Sequence, residues 1–202
     1  MKRRLRLLWF ALPAFLMLGC AHPPPPAPMQ TGVNPIAVLP PNNQTGDALL
    51  VSGGSMLERY ILRSERVGVT DILAAEARQQ LALHGFTVVA PEVVDLATGG
   101  QAPTTAAAAA ALGQQQHLGG AVLYIDLRRW EPDIAFQPRA VIVWIELTLI
   151  DSSSGRVLWA VTQQPEPIPT QGAINLGDAY VIAAHTVMER LLTPLQAQKP
   201  PS

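Results

Sequence analysis

Few residues in this chain have the type and spacing for chemistry. Cys20 is the single thiol, and a thiolate is the side chain that takes an alkyl group as a stable thioether. Gly53-Gly54-Ser55 has the composition of a nucleophile elbow but not its Gly-x-Ser-x-Gly spacing. No glycine-rich segment ends in Gly-Lys-Ser or Gly-Lys-Thr, so no phosphate loop is present. His22, His84, His117 and His185 are scattered. Only His185 and Glu189 stand four apart, and two ligands are too few for a metal site. The expectation is a protein without metal, without cofactor and without catalytic residues.

Cys20 gains its meaning from what precedes it. Lys2, Arg3, Arg4 and Arg6 form a basic start, and residues 7–18 are apolar over a stretch too short to span a bilayer. Met17-Leu18-Gly19-Cys20 then resembles a lipobox, the cleavage and lipidation signal of bacterial lipoproteins. Gly19 supplies the small residue before the cut, and the Cys20 sulfur accepts the diacylglyceryl group. Residues 1–19 are thus expected to leave as a signal peptide. Each buried methylene contributes about 0.8 kcal/mol, so two or three palmitate-like chains hold where one would not. The membrane is the first expected partner, reached through the N-terminal lipid. Ala21, rather than Asp, favours the outer membrane of a Gram-negative envelope, facing the periplasm.

Lipidation of Cys20 leaves no disulfide and no thiolate zinc site. Removal of residues 1–19 strips four basic side chains from a chain of formal charge −1. The remaining acidic domain lacks the basic footprint of a nucleic-acid binder.

Residues 20–35 read as a tether, with Pro23 to Pro26 and Pro28 favouring polyproline II. Residues 36–195 read as one α/β domain and 196–202 as a frayed tail. Hydrophobic residues make up 49% of the chain and charged ones 14%, enough apolar material for a core. Strands are expected at 36–39, 86–90, 121–127, 139–151 and 157–162, the last two forming a hairpin over Asp151 to Gly155. Residues 163–169 read as extended and proline-rich. Helices are expected at 69–84, capped by Thr70 or Asp71 and stopped at Gly85; at 103–116, capped by Thr104 or Thr105; and from Asp178 to about Pro194. Residues 48–68 are ambiguous, and 56–62 within them fit either a short helix or an irregular strand. The order predicts a mixed sheet of about five strands flanked by helices, in two or three layers.

If the first three strands run parallel, the loops at 42–47, 92–95 and 128–133 leave their carboxyl ends together, where open α/β sheets bind ligands. Asn43, Thr45, Asp47, Arg128, Arg129 and Trp130 are the candidate partner or ligand surface, since Arg and Trp dominate interface hot spots. The competing reading solvates both arginines and sets Trp130 at the edge of the core. A strand as long as 139–151 would also fit an oligomeric membrane barrel, but Glu146 at its middle and a single hairpin favour a packed sheet.

Ile36-Ala37-Val38-Leu39-Pro40-Pro41 with the turn after it resembles the opening of the TolB amino-terminal domain and of the curli-secretion lipoprotein CsgG. Phe86-Thr87-Val88-Val89, Gly120-Ala121-Val122-Leu123-Tyr124-Ile125 and Asp151 followed by Gly155-Arg156-Val157-Leu158-Trp159 resemble a bacterial lipoprotein family of unknown function with a related α/β fold. The likeness spans 36–192. It implies an envelope lipoprotein that works by assembly with other proteins, homo-oligomers included, and it brings no catalytic residues. The function expected is a non-enzymatic scaffold or accessory factor of a periplasmic or outer-membrane complex for secretion, transport or cell-wall assembly. The alternative is a periplasmic small-ligand-binding module.

Overall fold

The structure, a computed structural model, describes residues 29–51, 67–135 and 137–197. The lipobox, Cys20, the polyproline run and the helix-or-strand question over 56–62 lie outside those residues. Within them the chain is α/β, with a five-stranded mixed sheet and four helices. The central strands are β2 (Ile36–Val38), β3 (Asn42–Asn43), β6 (Ala121–Pro132), β7 (Ala140–Asp151) and β8 (Val157–Pro169). Both β2 and β3 run parallel to β6, and β6-β7-β8 is an antiparallel meander.

Helices α1 (Val69–Leu83) and α4 (Leu176–Leu192) cover one face, and α2 (Pro91–Thr98) and α3 (Ala106–Gln116) cover part of the other. Strand alternation supplies both faces. Leu123, Ile125, Leu147 and Leu149 point to α1 and α4, and Val122, Tyr124 and Ile150 to α2 and α3. The stripe on α1 is buried at Ile72, Leu73, Ala77 and Leu81, as its spacing requires. Gly85 takes φ of +87°, so that Gly85 N–H donates to the Ala82 carbonyl and Phe86 N–H to that of Leu81, both bonds of a Schellman stop.

Several local expectations change. The segment 86–90 makes one isolated parallel bridge, Val88 to Ile36, rather than a strand. Pro91 is the reason: as the first residue of α2 it carries no N–H that the helix needs, so it starts a helix instead of merely ending a strand. The expected loop at 92–95 is therefore helical. Thr105 caps α3, one of the two residues expected there, but α1 and α4 are capped by Gly68 and Asn175, with Asp71 and Asp178 three places further in. The Asp71 carboxylate accepts from Gly68 N–H at 2.8 Å, half of a capping box.

Strand β6 continues through the expected loop at 128–133 as far as Pro132 because a bulge at Arg128 lets pairing with β7 resume. Strand β8 is continuous through 163–169. Thr170 N–H donates inward to the Arg139 carbonyl, so Pro167 and Pro169 place their missing donors on the outer side, and Pro165 falls in the bulge opposite Trp144, both positions that an edge strand tolerates. Regular structure also extends past 36–195. Strand β1 (Met29–Thr31) pairs in parallel with β9 (Leu195–Ala197), and β4 (Leu50–Val51) pairs with β5 (Val67–Gly68).

Candidate functional site

The two faces of the sheet are covered unequally. Strands of twelve residues run about 40 Å, whereas the eleven residues of α3 span about 16 Å. Beyond α2 and α3, the distal half of that face has no helix over it among the described residues.

Asp126 stands where the cover ends. It is buried at 4% exposure, and its carboxylate is fully engaged. Oδ1 accepts from Asn42 Nδ2 at 2.8 Å and Gln44 Nε2 at 2.7 Å, and Oδ2 from Arg128 Nε at 3.0 Å. The pairing of β3 with β6 sets Asn42 beside Asp126, and Gln44 N–H donating to the Leu127 carbonyl carries the register one step on. Arg128 Nη2 donates to Glu146 Oε2 at 2.9 Å. Glu146 is the direct cross-strand neighbour of Asp126, so one guanidinium bridges two carboxylates that would otherwise repel. That guanidinium also lies 5.3 Å from the ring centroid of Trp144, a cation–π stack. The Tyr124 hydroxyl accepts from Asn42 Nδ2 at 3.3 Å. Burial pushes its phenol above the ordinary value of 10, and the Asp126 charge acts the same way against the Asn42 hydrogen bond.

The six candidate residues separate. Arg128 joins this network. Arg129 faces Trp144 across the strands and donates to Glu131 Oε2 at 2.6 Å, an exposed pair. Asn43, Thr45 and Asp47 close a local turn: the Asn43 side-chain oxygen accepts from the Thr45 N–H and hydroxyl, and Asn43 Nδ2 donates to the Asp47 carbonyl. Trp130 is 2% exposed and stacks edge-on against Tyr180 of α4, with centroids 5.9 Å apart. The bulge explains this. One extra residue at 128 reverses the alternation, and Trp130 turns into the core under α4 instead of outward. It is no surface anchor.

The sequence alone does not mark Asn42, Gln44, Asp126, Trp144 or Glu146 as site residues. A signal existed in Asp126, which interrupts an apolar run one strand-period before Arg128. The arrangement forms a fixed charged and aromatic platform, with Ile142 and Trp144 half-buried on it and the Trp144 indole N–H lacking a hydrogen-bond partner. His185 Nδ1 lies 2.9 Å from Glu76 Oε2 and its Nε2 3.9 Å from Glu189, in an α1–α4 contact. Among the described residues no group of three or more His, Cys, Asp or Glu is placed to hold a metal, and no helix is long and apolar enough to cross a membrane.

No protein-family model matches the chain, and no curated protein matches it. Solved structures do. The PelC dodecamer from Paraburkholderia phytofirmans is 16% identical, over 85% of this chain and 93% of that one, with a TM-score of 0.51. Lipoprotein GNA1162 from Neisseria meningitidis is a looser match, 22% identical over 78% of this chain and 97% of that one, at 0.46. The likeness to PelC establishes a shared fold at low identity, and kinship with TolB and CsgG stays a resemblance of sequence.

Proposed function

We propose that this chain is a lipid-anchored envelope protein that works without catalysis, as a scaffold or accessory factor of a periplasmic or outer-membrane complex. The carrying observation is the half of the sheet that no described helix covers, where Arg128, Trp144 and Glu146 form a polar and aromatic platform. Two further points support it. The lipobox provides the anchor at Cys20, and the similar fold of PelC is one that forms a dodecamer, in line with self-assembly as one mode of use. Secretion, transport and cell-wall assembly are the processes such a scaffold would serve.

The experiment has two arms. In cells fed radiolabelled palmitate, the wild-type chain takes up label and Cys20→Ser does not. A photo-crosslinking residue at Arg129 or Trp144 yields discrete adducts, with a second copy or another envelope protein, while the same residue at exposed Gln79 on α1 yields none. Label on the serine variant, or identical adducts from both positions, refutes the reading.

A further inference from the structure

A second feature lies away from the platform, at the carboxyl end of β2. From β2 the chain passes through α1 to the bridge at Val88 on one side, then through α2 and α3 to β6 on the other. The connections diverge at that point, which in open α/β sheets is where small ligands bind. A cleft of about 240 Å³ lies there, lined by Val38, Pro40, Asp71, Ala74, Arg78 and Asp95 among others.

Its charges are not paired off. Arg78 makes no hydrogen bond and no ion pair within 4.0 Å among the described residues, although Asp71 and Asp95 line the same cleft and Glu92 adds its field. Its five guanidinium N–H donors therefore have no acceptor among the described residues. Burial holds Arg78 below its ordinary value while the three carboxylates pull the other way, and an arginine remains a cation throughout. One oxygen of Asp71 accepts from Gly68 N–H, and the other has no hydrogen-bond partner among the described residues.

A simple anion entering the cleft would meet the carboxylates, and a simple cation would meet the guanidinium. A molecule carrying both signs a few ångströms apart satisfies both. We propose that this cleft binds a small zwitterion of amino-acid or dipeptide size, its carboxylate on Arg78 and its ammonium group on Asp95 and Asp71. Pro40, Pro41 and Pro91 stiffen the walls, which lowers the ordering cost of binding.

Titration calorimetry on the full chain in detergent micelles tests this with three probes: L-alanyl-L-alanine, N-acetyl-L-alanine with only the carboxylate, and L-alaninamide with only the ammonium. The dipeptide binds, and each single-charge analogue binds at least about tenfold more weakly, the loss of one charge-assisted contact. Arg78→Gln weakens the dipeptide by about tenfold or more, with Arg78→Lys retaining part of the affinity and both keeping the wild-type melting temperature within a few degrees. Asp95→Asn, on an exposed side chain, weakens the dipeptide and leaves N-acetyl-L-alanine no weaker. Absence of dipeptide binding, equal binding of the three probes, or an affinity indifferent to Arg78→Gln overturns the assignment. The test is separate from the scaffold reading, since crosslinking at Trp144 and titration at Arg78 fail independently.

Discussion

The two faces of this sheet are made from the same three strands and solve different problems. Against α1 and α4, the face is dry from end to end: Leu123, Ile125, Leu127, Trp130, Val143, Ile145 and Leu147 are all buried. Against α2 and α3, a small apolar cluster covers only the proximal half, and the distal half is held by polar contacts converging on Asp126. One face is specified by packing and the other by hydrogen bonds. A surface that must stay ordered without a helix over it needs the second solution, because apolar burial is not available there.

The contrast breaks most readily through the dry face. Leu147→Ala removes a fully buried side chain from mid-sheet and should cost about 2–5 kcal/mol in urea unfolding. Ile142→Ala, five residues earlier on the open face of the same strand, should cost under about 1 kcal/mol. Comparable losses at the two positions would mean that the distal half is covered after all.

Asp126→Ala comes next. It leaves the Asn42 and Gln44 amides and the Arg128 guanidinium without their shared acceptor, and should destabilise by about 2–3 kcal/mol in the same assay. Arg128→Ala acts on a side chain 37% exposed, so water relieves part of the loss and about 1 kcal/mol is expected. Arg128→Lys should recover little of it, since an ammonium cannot hold Asp126 and Glu146 in a fork while stacking on Trp144. A lysine variant as stable as wild type would reduce the network to simple charge balance.

Legibility in the sequence followed the same division. The dry face was open to reading because it depends on period: the stripe of α1, the alternation of β7 and the Gly85 stop are each encoded within a few residues. The platform depends on register between segments some eighty residues apart, as in the pairing of Asn42 with Asp126, and no local pattern carries that. The bulge at Arg128 mattered most. Alternation carried unbroken through 121–130 places Trp130 on the open face, and one inserted residue sends it into the core. Pro91 and the prolines of β8 misled for a related reason, since a proline at a helix start or on a sheet edge costs nothing that it costs elsewhere.

The smallest effect tests whether the polar contacts at Asp126 and the turn at Asp151 act separately. Asp151 lies in the β7–β8 turn, where its Oδ1 accepts from the hydroxyls and backbone N–H groups of Ser153 and Ser154. The Ser153 hydroxyl above all, then the Ser154 contacts, hold its carboxyl down to about 2 from an ordinary 3.8. A depressed carboxylate gives its full support above the ordinary value and loses it as pH falls through about 2, so this turn should keep its hydrogen bonds well below pH 4. An NMR titration of the Asp151 carboxyl carbon should find its midpoint near that value, and Ser153→Ala should move it upward. Asp126→Ala, five pairs along the ladder that starts at Ala121 and Asp151, should leave the midpoint where it is. A shift there would show the polar platform and the turn titrating as one unit, and the division of this face into a packed half and a hydrogen-bonded half would have to be redrawn.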